Sequence, residues 1–144
     1  MPEKDDFDLR FFMPYLLNQA ADATGRGFET YYKSKYGMLR TEWRVIFHVG
    51  RYGQMTAKEI CARARIHKTK VSRAVRALET KRYLKRKVQP EDRRHELLSL
   101  TPTGARVFDD LVAEAQAFDA RLLAGFSDAE VRQVREVLGK LAGL

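Results

Sequence analysis

Apolar and small residues recur at Leu16, Ala20, Ala23, Gly27 and Tyr31, with Tyr36 close behind. This is the three-and-four spacing of a helix with one sticky side. Pro14 suits the first turn of that helix, and Gly37 ends it. Gly25 and Gly27 each cost roughly 1 kcal/mol in a helix interior, so we read them as sites of close approach by another helix. Thr41 is an N-cap candidate for a second helix carrying Trp43, Ile46, Phe47 and Val49, and the Gly50–Gly53 stretch is expected to break it. Thr56-Ala57-Lys58-Glu59 has the form of a capping box, in which hydroxyl and carboxylate satisfy free N–H groups reciprocally. It opens a short helix with Ile60, Cys61 and Ala64. Ile66 falls in the turn after it, and a fourth helix is predicted over His67–Thr80.

The period then changes. Leu84, Arg86 and Val88 alternate with Lys85 and Lys87, and Leu98 and Leu100 alternate with Leu97 and Ser99. Two short strands joined by a charged tip over Gln89–His95 follow from this pattern. Thr101-Pro102 caps a fifth helix with Val107, Phe108, Leu111, Ala115, Phe118 and Leu122. Ser127-Asp128-Ala129-Glu130 is a second capping box, opening a last helix with Val131, Val134, Val137, Leu138 and Leu141. The order is α-α-α-α-β-β-α-α, a mainly α fold with an α+β wing.

Two short helices joined by a tight turn, Thr56–Ala64 and His67–Thr80, form a helix-turn-helix pattern. At 100° per residue, Val75 and Leu78 fall within roughly 40° of Val71, whereas Thr69, Ser72, Arg73 and Arg76 fall roughly 100–200° away. One side is aliphatic. The other offers two arginines and two hydroxyls, with Lys70 on the flank and no carboxylate before Glu79. An ordinary surface helix mixes its signs. A helix of this kind fits the major groove, where arginine pairs bidentately with guanine. Lys68, Lys70 and the hydroxyls near its start can fix phosphates. In the tip, Arg93 or Arg94 can enter the narrow, electronegative minor groove, and Asp92 can hold a guanidinium in place.

Charge sharpens this picture. The 144 residues carry a net +8. Thr56–His95 holds 14 Lys and Arg against Glu59, Glu79, Glu91 and Asp92, a net of +10, and the remainder is −2. Such a block attracts polyanions by counterion release. It contains one aromatic, Tyr83, where readers of single-stranded RNA offer stacking platforms, so double-stranded DNA is the expected partner. A non-regulatory architectural or RNA-binding winged helix is the alternative. No apolar run is long enough to span a bilayer. The start, with Glu3, Asp5 and Asp6, lacks the basic beginning and apolar core of a signal peptide. The single cysteine, Cys61, excludes an intramolecular disulfide framework. A cytoplasmic protein, nucleoid-associated when bound to DNA and without a membrane partner, is expected. No phosphate-cradling glycine loop, metal-binding pair or nucleophile with a base is evident. No enzymatic activity, cofactor or metal is therefore expected. His48, His67 and His95 are scattered without ligand spacing; His67 is read as a cap or phosphate contact.

Several segments, taken in order, resemble one family. They are Thr41-Glu42-Trp43-Arg44-Val45-Ile46, Thr56-Ala57-Lys58-Glu59-Ile60, Lys70-Val71-Ser72-Arg73-Ala74-Val75, Leu78-Glu79, Asp92-Arg93-Arg94, Leu98-Ser99-Leu100-Thr101 and Gly104. The set is similar to the multiple-antibiotic-resistance-regulator (MarR) family of transcription factors over about Tyr15 to Leu141. Lys81 departs from it, standing where the family more often has glycine. The resemblance implies a winged helix-turn-helix homodimer whose first, fifth and sixth helices interlock. It implies a recognition helix at His67–Thr80, a wing at Leu84–Leu100, and a pseudo-palindromic operator that the dimer commonly represses. The chain divides accordingly into an N-terminal dimerisation segment and helix (1–37), a DNA-binding lobe (38–101) and C-terminal dimerisation helices (102–144), intertwined as one domain. Apolar groups at both ends, Phe7, Phe11, Phe12 and Met13 against Leu138, Leu141 and Leu144, independently suggest burial between subunits. Many relatives respond to small phenolic or aromatic carboxylate ligands. Tyr15, Asn18, Trp43, Phe47 and His48, with Phe28 and Tyr32, are candidates to border such a crevice, although aromatics at helical spacing commonly form core. Cys61 is read as a buried small hydrophobe.

Overall fold

A computed structural model describes residues 6–144; the side chains of Gln89 and of Asp92, Arg93, Arg94 and His95 lie outside what it describes. After a short 3-10 turn at Leu9–Phe11, the elements run α1 (Met13–Tyr36), α2 (Arg40–Tyr52), β1 (Met55–Thr56), α3 (Ala57–Ala64), α4 (Lys68–Thr80), β2 (Leu84–Gln89), β3 (Asp92–Leu100), α5 (Pro102–Leu122) and α6 (Asp128–Ala142). The sheet is antiparallel in the order β1-β3-β2, with Met55 opposite Leu98, and Leu84 and Arg86 opposite Leu100 and Leu98. Among the described residues no helix is long and apolar enough to cross a membrane.

The expected caps form at three helices. Thr101 Oγ1 accepts from Gly104 N at 2.9 Å and donates to the Arg82 carbonyl at 2.6 Å, tying the start of α5 to the chain before the wing. Ser127 and Glu130 complete the capping box of α6. At the start of α3 only half of the expected capping box forms: Thr56 Oγ1 accepts from Glu59 N at 3.1 Å, and among the described residues the Glu59 carboxylate does not return the bond.

Four readings need correction. Thr41 does not cap α2: the cap position is Leu39, two residues earlier, and the Glu42 carboxylate accepts from Leu39 N at 2.8 Å. Gly50 does not break α2, which runs on to Tyr52; a Cβ there would lie 2.4 Å from Phe108 Cδ2, so the bare glycine admits that ring. A third strand, β1, pairs with β3 across more than 40 residues of chain. The hairpin tip is shorter than Gln89–His95, since Gln89 already pairs with Asp92 and only Pro90-Glu91 turn between them. The left-handed residue after α4 is Arg82 (φ 63°), while Lys81 keeps helical geometry.

Phe28, Tyr32, Val45, Ile46, Val49, Ile60, Val71, Val75, Leu78, Leu98 and Leu111 meet in one core. It lies under α2, α3, α4, the sheet and the facing parts of α1 and α5. Gly104 marks its tightest point, where a Cβ would stand 2.0 Å from the Tyr83 carbonyl oxygen. Polar ties fix the helices around it. Glu42, 3% exposed, accepts from Lys81 Nζ at 2.6 Å, and Lys81 also donates to the Gly37 carbonyl at 3.0 Å. Asp110 on α5 accepts from the hydroxyls of Tyr31 (2.8 Å) and Tyr36 and from Lys35 Nζ (3.0 Å), joining α1 to α5. Outside this core the N-terminal half of α1 and all of α6 bury nothing within the chain.

Candidate nucleic-acid interface

The sequence of α4 determines which of its sides is free. Val71, Ala74, Val75 and Leu78 are buried, each at most 4% exposed. With those groups pinned inward, 100° steps leave Lys68, Thr69, Lys70, Ser72, Arg73 and Arg76 on the outer side, and all six are exposed. His67 begins the helix, its Nδ1 accepting from Thr69 N at 3.2 Å, as one of its two expected roles required. Among the described residues no carboxylate pairs with Lys68, Lys70, Arg73 or Arg76. Their charge is therefore available to an anion, and desolvating them against phosphate breaks no internal pair.

The turn before α4 is fixed from two sides. Arg65 ends α3 in the left-handed conformation, its N–H donating to the Cys61 carbonyl. Its guanidinium donates to the Ala142 carbonyl at the end of α6 at 2.7 Å. Arg44, whose pKa burial lowers first and Arg40 second, donates to the Ala64 carbonyl at 2.8 Å and closes the end of α3. A cavity of about 650 Å³ opens between α3, α4 and the sheet, lined by Lys58, Cys61, Lys68, Ser72, Arg86 and Leu98 among others. Cys61 is thus only half-buried at its edge, not enclosed in core.

On the wing, Asp92, Arg93 and Arg94 open strand β3 directly after the Pro90-Glu91 turn. The side-chain roles expected of these three lie outside the described residues. One group that sequence reasoning missed is Arg86 on β2. Its Nε donates to Glu79 Oε1 at 2.6 Å and its Nη1 to Glu96 Oε2 at 2.9 Å. Glu96 first, then Glu79, raise its pKa above the usual arginine value. The only sequence signal was the alternation that puts Arg86 on the same strand face as Leu84, two residues from a buried position.

Of the seven candidate ligand residues, Phe28, Tyr32 and Trp43 meet at one cavity within the chain and the other four do not border it. Trp43 and Phe47 pack edge-to-face at 5.0 Å between centroids. Trp43 also meets Phe28 at 5.3 Å, and Phe47 meets Phe108 at 5.6 Å. His48 Nδ1 donates to the Arg44 carbonyl at 2.6 Å. Tyr15 and Asn18 are exposed and precede Phe28 on α1 by 13 and 10 residues, which is about 20 and 15 Å along the helix. That cavity, of about 380 Å³ between α1 and α2, is bordered by Arg26, Phe28, Tyr32, Arg40 and Trp43.

Comparisons with known proteins agree with this geometry. Residues 36–95 match a family model described as MarR family. The HTH-type transcriptional repressor MdtR of Bacillus subtilis (strain 168) is 29% identical over 108 residues, 75% of this chain and 70% of MdtR. A MarR/EmrR family transcriptional regulator from Acinetobacter sp. ADP1 superposes with a TM-score of 0.85 at 27% identity, covering 95% of this chain and 96% of that one. BpsR of Bordetella bronchiseptica, whose DNA binding is regulated by 6-hydroxynicotinic acid, has a TM-score of 0.84 at 19% identity over 96% and 98% of the two chains. That last likeness concerns the fold.

Proposed function

We propose that the chain, which is similar to the MarR family of transcriptional regulators over residues 36–95, is a homodimeric repressor of a pseudo-palindromic operator. The observation that carries the reading is the exposed side of α4, six polar and basic residues without a carboxylate partner among the described residues, above a buried aliphatic stripe. Two copies of α4 held about 34 Å apart enter successive major grooves. Arg73 and Arg76 read base edges there. Lys68, Thr69, Lys70 and Ser72 set register on the phosphates. Arg93 or Arg94, supported by Asp92, reaches the minor groove.

Residues 1–37 and 102–144 supply the dimer, and 38–101 the DNA-binding lobe. Support for this division comes from the exposed apolar side chains of Leu9, Phe11, Phe12, Met13 and Leu16 at one end and of Val134, Val137, Leu138 and Leu141 at the other. Isolated exposed apolar groups are ordinary, but two such runs on one chain mark an interface. Repression is favoured by the likeness to MdtR. A small aromatic or phenolic effector, bound where α1 meets α2, weakens operator binding by changing the spacing of the two lobes.

Fluorescence anisotropy on DNA from upstream of its own gene tests the reading, with salt titration and scrambled competitor. Preference for the upstream fragment with a steep salt slope is expected. Equal affinity for both fragments would overturn sequence-specific regulation at that site in favour of an architectural role.

A further inference from the structure

The wing is weakly held. Strand β1 pairs only with Leu97 and Leu98 of β3, opposite Lys87 and Arg86, so from Val88 outward the hairpin is two-stranded. Val88, the next residue on the same face, is 52% exposed and anchors nothing. A two-stranded ribbon is marginal in water on its own. Something must therefore set its angle against the recognition helix if both are to meet one duplex.

Arg86 stands on the three-stranded part, one residue before the third strand stops. It reaches Glu79 in the last turn of α4 at 2.6 Å and Glu96 on β3 at 2.9 Å. A planar guanidinium fork holds two carboxylates at a fixed mutual angle, which a lysine ammonium does not. The trio borders a groove of about 740 Å³ between α4 and the wing, shared with Ser72 and Arg76. Two carboxylates here face a surface meant for a polyanion, which makes sense only if they do something other than touch DNA.

We propose that Arg86 is a positioning residue for DNA binding: by bridging Glu79 and Glu96 it fixes the wing against the recognition helix, so that the wing reaches the minor groove while α4 fills the major groove. This rests on the DNA-binding reading above. Simple electrostatics makes the opposite forecast for the carboxylates, because removing a negative charge near phosphate should tighten binding. The proposal requires that it loosen binding.

The test compares operator affinity, hydroxyl-radical footprints for the minor groove and dimethyl-sulfate footprints for the major groove, for the wild type, Glu79→Gln, Glu96→Gln, Arg86→Gln, Arg86→Lys and the Glu79→Gln/Arg86→Gln double variant, each over a salt series. Glutamine is isosteric with glutamate and both carboxylates are about one-third exposed, so folding is retained. Each carboxylate variant is expected to weaken operator binding about three- to tenfold, and the double variant to be no weaker than Arg86→Gln alone, as for residues acting in one network. Minor-groove protection under the wing should be lost while major-groove protection persists. Arg86→Lys should keep the charge without restoring that protection.

Carboxylate variants that bind as tightly as wild type or tighter would overturn the proposal. So would a salt slope lowered by about one in Arg86→Gln alone, which marks a direct phosphate contact. Wild-type protein that fails to distinguish operator from scrambled DNA would instead remove the DNA-regulator reading itself, and the proposal with it.

Discussion

Helices α4 and α6 are of similar length, 13 and 15 residues, and each carries aliphatic groups at helical spacing. In α4 that stripe is sealed: Val71 and Leu78 are fully buried, and Ala74 and Val75 nearly so. In α6 no residue is buried, and Val134, Val137, Leu138 and Leu141 remain 42–56% exposed. Amphipathic spacing tells that a face is to be covered, not by what. For α4 the cover is α2, α3 and the sheet of the same chain. For α6 the chain offers one tie to α5, Arg135 to Asp119 at 2.6 Å, and the Arg65 contact at its far end. The apolar face between these ends is left exposed by the chain itself, and the proposed dimer would cover it.

The largest expected effect comes from spoiling that face. Leu138→Asp combined with Leu141→Asp should yield a monomer by light scattering. Operator affinity should fall by roughly 100-fold or more, since linking two half-site binders is worth ~10²–10⁴ in avidity. A variant that stays dimeric and keeps its affinity would show that α6 is covered by something else.

The same substitution placed in each helix sharpens the comparison. Leu78→Ala should cost about 2–5 kcal/mol by urea unfolding, the range for emptying a packed leucine site, and the loss should not depend on protein concentration. Leu138→Ala should destabilise in a concentration-dependent way, because its cover comes by association. Equal concentration dependence for both would erase the distinction.

Arg73→Ala leaves both cores intact and tests the outer side of α4. Loss of about 1–3 kcal/mol in operator binding, with relaxed preference at one base position, is expected of a base-reading arginine. Competition with operators substituted one position at a time measures it.

How far the sequence foretold these two helices depends on the range of the interactions involved. Caps read well because they act over three residues: Thr101 to Gly104, Ser127 to Glu130 and Thr56 to Glu59. The outer side of α4 was readable because its buried stripe is strictly periodic. Strand β1 was not, since Met55-Thr56 is too short for a period and its partner Leu98 lies far along the chain. Gly50 looked like a breaker because nothing local announces that the Phe108 ring lies against it. Thr41 looked like a cap because its residue type fits, but Glu42 reaches back to Leu39 and so starts the helix two residues earlier. The Arg86 bridge joins an α4 glutamate to a wing glutamate, and no spacing rule pairs residues of different elements. Asp92 was the better candidate for wing support by local reasoning, and Arg86 is the group the described side chains bring to that task.

The smallest effect concerns the junction of the two regions, where α1 and α5 are joined through Asp110. Burial first, then the hydrogen bond to Asp110, pushes the Tyr36 phenol up to about 12. The fold therefore favours the protonated phenol. Its contribution is complete below pH 10 and is lost as pH rises from about 10 to 12. The Tyr36 hydroxyl, as the largest cause, holds the Asp110 carboxyl below its ordinary value of 3.8, so the carboxylate's contribution is present above that value and is lost as pH falls through the lowered one. Tyr36→Phe should cost about 1 kcal/mol at neutral pH, the usual worth of one such hydrogen bond. The difference from wild type should shrink above pH 10. At the acid edge a smaller dependence should survive, because Tyr31 and Lys35 still donate to Asp110. Paired urea titrations at pH 7 and pH 11.5 measure it. A gap of the same size at both values would mean that Tyr36 holds the junction by packing its ring, near Tyr83 at 6.3 Å, and not through its proton.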